Sequence, residues 1–459
     1  MQSFNLKTQT YFDNQIDPYI PEWWAQETLA ILEENMVASA LVNRDFEKYF
    51  NKFGDTVNTR RPREFTGKRK VKGDAVTVQD AVADNVAVTL DQWNHVSFTI
   101  DDIEDTMSMK QLSDEYARPA AMALARMVDQ VVLGQYPQFL PNVAGNLNGV
   151  TTSNIKDYVI DLRQVLDDTK CYTDNRNLIL TSKTEGDMLR PEWFTSFDKR
   201  GDTEGLRNAE LGHKLGFDFY KDLNMANISR GMTSRTFQVN NAAGYNVGDT
   251  AITVDTGTGE ITVGSWVNIG GLPYQVTART GTAPTTAITL GYGLRRAAAD
   301  NDPIYVLTPG AVNNGGGYAA GYSKQITVSG FSVAPRVGQF VTFGTDTTNR
   351  YTIIQVSGTT GITLDRALQA AISNSDTVNV GPAGAYNLCI HPNAITLAIR
   401  GLQPVRNGAG AVSTTLNHNG LSMRVTISYD ATYQKHMWTF DFLSGIKVLD
   451  TNLGAVLCG

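Results

Sequence analysis

Cysteine is scarce in this chain and scattered. Cys171, Cys389 and Cys458 are odd in number and have no paired spacing, so neither a disulfide framework nor a zinc site is indicated, and buried or free thiols in a reducing compartment are the simpler reading. Histidine is scarce too. His95, His213, His391, His418 and His436 form no i, i+4 pair and no His-Glu-x-x-His, and no Gly-x-Ser-x-Gly elbow accompanies them. No catalytic residue, metal site or cofactor is therefore expected, and each histidine reads as structural. Surplus positive charge is missing as well: the net charge is -7, with a pI near 5.4. That excludes a protein that coats nucleic acid by neutralising phosphates, which needs clustered Lys and Arg in excess. No stretch approaches the roughly 18 apolar residues of a membrane span. The start, Met1-Gln-Ser-Phe-Asn-Leu6, lacks a basic-then-apolar leader, so a soluble chain with no membrane partner and no export signal is expected.

What is present is length and a break in composition. The 459 residues suffice for roughly three domains and a substantial core. Residues 232–384 carry 16 charged side chains in 153 positions against 69 in the other 306, and hold 22 of the 41 glycines. An inserted all-β module is the inference. Inside it a repeat appears at a fixed offset of 74: Ile252-Thr-Val254 recurs as Ile326-Thr-Val328, Val263-Gly264 as Val337-Gly338, Ile288-Thr-Leu290 as Ile362-Thr-Leu364, and Asp302 as Asp376. Sixteen of 55 positions match, too many for two unrelated halves. Each copy alternates apolar and polar residues in short runs, such as Trp266-Val-Asn-Ile269 and Phe340-Val-Thr-Phe343. That is the pattern of half-buried strands, and it predicts two small barrels or sandwiches, at about 248–307 and 322–381. The intervening Pro309-Gly-Ala-Val-Asn-Asn-Gly-Gly-Gly317 reads as a flexible linker. It lacks the strand-to-helix context and the Lys-Ser or Lys-Thr of a phosphate cradle.

The first third alternates helical and extended patterns. From Glu22 to Leu41 the apolar residues Trp24, Leu29, Ile31, Leu32, Met36 and Leu41 are spaced for a one-sided helix. The Trp23-Trp24 pair, amid acidic residues, reads as packing against protein rather than as a membrane anchor. After Gly54-Asp55 the chain turns extended and basic, with Arg60, Arg61, Arg63, Lys68, Arg69, Lys70 and Lys72 against a single Glu64. The returning runs Val76–Asp80 and Val86–Leu90, then His95–Ile100, alternate like strands. A two-stranded arm of this kind is weakly stable alone and needs a partner surface. Asp101, Asp102, Glu104 and Asp105 follow, opening a helical pattern through Leu124 and Val131 whose acidic start suits a helix N-terminus. Pro119 should kink this helix or mark a restart.

Leu41-Val-Asn-Arg-Asp-Phe-Glu-Lys-Tyr-Phe50 running into Gly54-Asp-Thr-Val57, with the segment Ile100 to Tyr136, resembles the major capsid proteins of tailed bacteriophages. The resemblance is to the Hong Kong 97-type fold, nearest the coat proteins of short-tailed Salmonella phages. Gly205–Gly212 with Leu215–Tyr220, and the ending Asn419–Tyr429 through Trp438–Leu449, are similar to that family as well. The resemblance covers the non-inserted two-thirds of the chain. It implies an α+β fold with an N-terminal arm and helix (1–54), an extended E-loop hairpin (55–100), a peripheral domain with a spine helix (101–149) and an axial domain (150–231 and 385–459). The insertion domain (232–384), made of two tandem repeats, sits where that branch carries one, and the duplication departs from its simplest members.

The same resemblance implies a virion subunit, in the host cytoplasm during assembly, that self-assembles into pentamers and hexamers of an icosahedral shell around double-stranded DNA. The implied partners are other copies of the chain, a scaffolding protein, a portal and a decoration protein, with packaged DNA touched non-specifically only. In such proteins the E-loop overlies a neighbour's peripheral domain. Arg60, Arg61, Arg63, Lys68, Arg69, Lys70 and Lys72 are therefore expected to meet Asp101, Asp102, Glu104 and Asp105 of another subunit, although exposed pairs contribute only about 0–1 kcal/mol each. The rival reading is a carbohydrate-binding or adhesin-type surface protein, whose duplicated β modules would stack sugars on Trp266, Phe340, Tyr274 and Tyr292. Because Trp266 and Phe340 share one repeat position, where apolar residues alternate inward, core packing is the favoured account.

Overall fold

The structure is a computed structural model that describes residues 28, 36–45, 56–61, 67–73, 75–76, 78, 84–101, 113–151, 153–191, 211–225, 235–405, 411–418 and 421–459. Most of the helix expected over 22–41, with Trp23 and Trp24, lies outside them. Its described end is a 3-10 turn, Ala38–Leu41. The chain forms two compact units, one of residues 1–35, 93–125 and 399–443, the other of 36–92, 126–398 and 444–459.

The arm is a hairpin of β1 (Thr56–Arg61) and β2 (Asp84–Thr89), paired from Thr56↔Thr89 to Arg61↔Asp84. Next comes β3 (Gln92–Asp101). A π-helical turn, Ser113–Ala117, leads into α1 (Arg118–Leu133). Pro119 thus stands where the π-helical turn passes into regular α-helix, a change of ladder that suits a residue with no N–H to donate. The chain continues with β4 (Val143–Gly145), α2 (Ile155–Asp168), β5 (Asn177–Leu180), α3 (Ser182–Leu189), β6 (His213–Lys214) and β7 (Phe217–Lys221). The α3 helix is capped by Thr181, whose side chain accepts from the Thr184 amide.

Two barrels follow. The first is built from β8 (Arg235–Val239), β9 (Ala251–Asp255), β10 (Trp266–Ile269), β11 (Leu272–Thr280), β12 (Ala287–Leu290) and β13 (Pro303–Val306). The second takes β14 (Gly310–Val312), β15 (Ile326–Ser329), β16 (Phe340–Phe343), β17 (Tyr351–Ser357), β18 (Gly361–Leu364) and β19 (Thr377–Val380). Both close, in the orders β10-β11-β12-β9-β8-β13 and β16-β17-β18-β15-β14-β19, which are the same order copy for copy. Both carry an irregularity at one place, between Val276 and Ala278 and between Ile353 and Gln355. The second barrel's interior is apolar, with Val328, Val341, Phe343, Ile353 and Ile362 at its centre. The 309–317 stretch is not a loose linker. Gly310–Val312 is a barrel strand, and the Asn314 side chain closes the next turn on the Gly317 carbonyl at 2.7 Å.

Each repeat also begins earlier than the fixed-offset match shows. Val239-Asn-Asn-Ala-Ala-Gly-Tyr245 and Val312-Asn-Asn-Gly-Gly-Gly-Tyr318 match one residue out of step. They make equivalent bonds: the Tyr245 and Tyr318 amides donate to Ala298 and Ile372, and both tyrosine hydroxyls accept from the backbone of Thr253 and Thr327.

The chain ends with β20 (Tyr386–Ile390), β21 (Ile395–Arg400), β22 (Ala411–His418), β23 (Leu421–Asp430), β24 (Lys435–Val448) and β25 (Gly454–Cys458). A six-stranded sheet runs β4-β25-β20-β5-β7-β6. The apolar stripe of α2, Ile155, Val159, Leu162 and Leu166, shares one buried cluster with Leu178, Phe217 and Leu457 of this sheet. In the other unit β22, β23 and β24 form a meander, and β3 pairs with β24. There Phe98 stacks between Tyr116 and Phe440 at 5.5 and 5.8 Å, and Asp441 accepts from Arg424 and from the Trp93 indole.

Candidate assembly interface

Of the sequence-chosen contact residues, Lys68, Arg69, Lys70 and Lys72 are all exposed. They lie at the tip of the arm, where Lys72-Gly73 turn and Gly73 takes φ +105°. Arg60 and Arg61 sit on β1 opposite Asn85 and Asp84, and Asp101 is the last residue of β3; only their backbone is described. Arg63, Asp102, Glu104 and Asp105 lie outside the described residues. The basic and acidic sets are thus not seen together, and their pairing stays an expectation. The described residues of the expected 76–80 strand, Val76 and Val78, join no ladder.

Sequence reasoning missed the apolar half of this tip. Val71, Val76 and Val78 are 70%, 72% and 90% exposed. Three valines held in water beside four cations form a surface that gains by being covered, at about 25 cal/mol for each Å² removed from water. The signal was there in the alternation of valine with Lys and Thr, which was read only as strand pattern.

A second feature explains how the barrels are held. Trp266 and Phe340 are buried, Phe340 stands apart from the apolar interior of its own barrel, and the two rings meet edge to face at 4.7 Å. The Trp266 indole donates to the Thr342 hydroxyl at 3.3 Å. Phe340 in turn lies against Tyr136 and Tyr386 at 6.0 and 5.8 Å. The Tyr136 hydroxyl donates to the Gly338 carbonyl at 2.8 Å. Burial raises both tyrosine hydroxyls well above their ordinary value, so they stay protonated donors.

Around this aromatic knot the second barrel is fixed by charge. Asp365, fully buried, accepts from Arg366 at 2.8 Å, from the Thr352 amide at 2.7 Å and from the Gln135 side chain at 3.2 Å. Thr352 donates to the Gly134 carbonyl at 2.9 Å and Arg350 to that of Pro137 at 2.7 Å. Burial pushes the Asp365 carboxyl up and Arg366 pulls it back. The first barrel is held by arginines on backbone: Arg295 donates to the Pro141 carbonyl at 2.9 Å and Arg296 to that of Gly145 at 3.1 Å.

Of the four aromatics that sugar stacking would use, three are out of reach and Tyr292 is partly exposed. Trp266, Phe340 and Tyr274 are at most 1% exposed. Two histidines and the three cysteines have local settings. His391 caps a 3-10 turn by accepting from the Asn393 amide at 3.2 Å, and burial lowers its pKa. His213 pairs with Asp218 at 2.7 Å on the surface. Cys171, Cys389 and Cys458 are buried free thiols, and burial raises all three. Among the described residues no group of three His, Cys, Asp or Glu is placed to hold a metal ion, and no helix is long and apolar enough to cross a membrane.

No family model matches the chain, and no curated protein matches it in sequence. Among solved structures it is similar to one from Mycobacterium phage Che8, with 13% identity over 92% of this chain and 90% of that one at a TM-score of 0.43. It is similar to the capsid structure of the cyanophage P-SCSP1u, with 9% identity over 88% and 83% at 0.42. It is also similar to the mature capsid of bacteriophage PhiM1, with 8% identity over 100% and 91% at 0.39. At these values the likeness assigns no residue a role.

Proposed function

We propose that the chain is the major capsid protein of a tailed bacteriophage, a Hong Kong 97-type subunit that assembles through pentamers and hexamers into an icosahedral shell around double-stranded DNA. The observation that carries this reading is the arm. A two-stranded hairpin, too thin for a core of its own, ends in exposed valines among Lys68, Arg69, Lys70 and Lys72, a combination suited to lying on another molecule rather than on its own chain. The sequence resemblance names that other molecule as a neighbouring copy, and repeated heterologous contacts of this kind close into rings and shells. In this reading residues 55–100 form the E-loop, 232–384 the insertion domain, and 150–231 with 385–459 the axial domain. The acidic stretch Asp101, Asp102, Glu104 and Asp105 receives the arm of the next subunit. Scaffolding protein, portal and decoration protein are partners of assembly. The net charge of -7 suits an inner wall that touches DNA without gripping it.

Electron microscopy of the purified protein, with and without co-expressed scaffold, tests the reading: regular shells support it, and monodisperse monomers under every assembly condition oppose it. Changing Lys68, Arg69, Lys70 and Lys72 together to Glu should leave the subunit's melting temperature within about 2 °C while blocking shell formation. Raised salt should weaken that block, because exposed charges are screened. Normal shells from this variant at low salt would remove the charge-pairing part and leave the capsid reading standing.

A further inference from the structure

Residues 36–43 are held against the body by two carboxyl groups that face each other in the interior. Asp129 on α1 is fully buried. Its two oxygens accept from the Val37 amide at 3.0 Å, the Ser39 amide at 2.9 Å and the Ser39 hydroxyl at 2.6 Å. Beside it lies Asp222, 2% exposed, just after β7. One Asp222 oxygen accepts from the Asn224 amide at 2.8 Å, and the other, Oδ2, has no donor at hydrogen-bond distance among the described residues, although the Ala38 amide also favours the ionised form of this carboxyl. Two ionised carboxylates cannot satisfy each other, and a buried acceptor without a donor is costly. A single proton on Asp129, given to Asp222 Oδ2, removes both difficulties. Farther along, the segment is pinned again: the Asn43 amide donates to the Pro392 carbonyl at 3.0 Å, and the Asn43 carbonyl accepts from the Leu397 amide at 2.9 Å.

We propose that Asp129 and Asp222 share one proton, and that this proton sets how firmly the 36–43 segment is held to the body of the subunit. Among the described residues the other charged groups near the pair in sequence are occupied, exposed or at the far end of the segment. Arg126, one turn earlier on α1, is exposed. Lys221 is paired with Glu185. Arg44 and Asp45 stand at the far end of the segment, with the Asp45 amide held by Asn43. The electrostatics agree with the geometry. Burial, the larger cause, and Asp222 push the Asp129 carboxyl from 3.8 to about 6, and burial raises Asp222 too, while the bonds from Ser39 and the Val37 amide hold Asp129 back. A carboxyl raised on docking binds its proton more tightly docked than released. Docking is therefore firmest below the ordinary carboxylate range, weakens as pH rises from about 4 to about 6, and is flat above that. The segment is a latch that acid closes.

Amide hydrogen exchange of the intact chain tests this, with exchange times corrected for the intrinsic rate at each pH. Peptides covering 36–43 should lose about tenfold or more in protection between about pH 4.5 and about pH 7.5, while peptides covering β25 do not change. In Asp222→Asn the amide supplies a donor to Asp129 without a charge, so the segment should stay protected across the range. A wild type with no pH dependence in 36–43, or an Asp222→Asn protein that keeps the wild-type dependence, overturns the proposal. Should that variant fail to fold, the infrared spectrum of the wild type decides. A carboxylic-acid band titrating at about 6 is required, and its absence is fatal to the idea.

Discussion

The barrels of residues 235–306 and 310–380 have the same strand order and the same irregularity in the same hairpin, yet they are attached by different chemistry. At the positions where the second barrel carries Asp365 and Arg366, the first has Gly291 and Tyr292, and the Gly291 amide makes the backbone bond to Gln275 that Asp365 makes to Thr352. The two-glycine turn Gly270-Gly271 of the first becomes the longer loop 344–350 in the second, closed on itself by Asp346, which accepts from Asn349 and Tyr351. Duplication kept what closes the barrel and freed what lies outside it. The second copy used that freedom to bury an ion pair against residues 134–137, whereas the first kept arginines that reach backbone carbonyls from a partly exposed position.

This contrast can be broken by substitution. Asp365→Ala should cost most, about 3–5 kcal/mol by chemical denaturation, because it leaves Arg366 buried without its partner; a loss near that of an exposed site would mean that Arg366 reaches water. Next comes the shared aromatic contact. Phe340→Ala should cost about 3–4 kcal/mol and Trp266→Ala somewhat less, since Phe340 also touches Tyr136 and Tyr386. A double-mutant cycle between the two should return about 0.5–1.5 kcal/mol of coupling, and a cycle that closes to zero would separate the barrels energetically. Arg295→Ala in the first barrel should cost only about 1–2 kcal/mol, the worth of bonds to one carbonyl. Smallest of all, Val263→Thr and Val337→Thr, at equivalent exposed positions, should each stay within about 0.5 kcal/mol of the parent in melting experiments.

The barrels were readable in advance because their strands alternate and the copies repeat at a constant step. What escaped reading has physical reasons. The first strand of each barrel was lost because Val239–Tyr245 and Val312–Tyr318 match at 73 residues rather than 74, so a rigid comparison passes over them. Trp266 and Phe340 are packed in the interior, as their shared repeat position suggests, but which face of β10 and β16 they take was not legible, because both strands are buried on both faces and alternation cannot tell the sides apart when neither is wet. The Asp129 latch joins residues 90 apart in sequence, a separation at which no local pattern signals a partner. The exposed basic tip, by contrast, needed only composition, since a run of Lys and Arg with few counter-charges has no place but the surface.

The position of β25 sets the timetable of folding. Residues 454–458 lie between β4, with which they run parallel, and β20, with which they run antiparallel, so a strand more than 300 residues after β4 is an interior strand of the sheet and not an edge. Until residue 458 has been synthesised, β4 and β20 each present an open edge, and the surface carrying Leu457 and Phe217 has no complete cover. A nascent chain of this design waits, with its two barrels already written, as a set of unpaired strand edges prone to join their like. Truncation before Gly454, which removes β25, is therefore expected to yield an aggregating protein rather than a slightly shorter one.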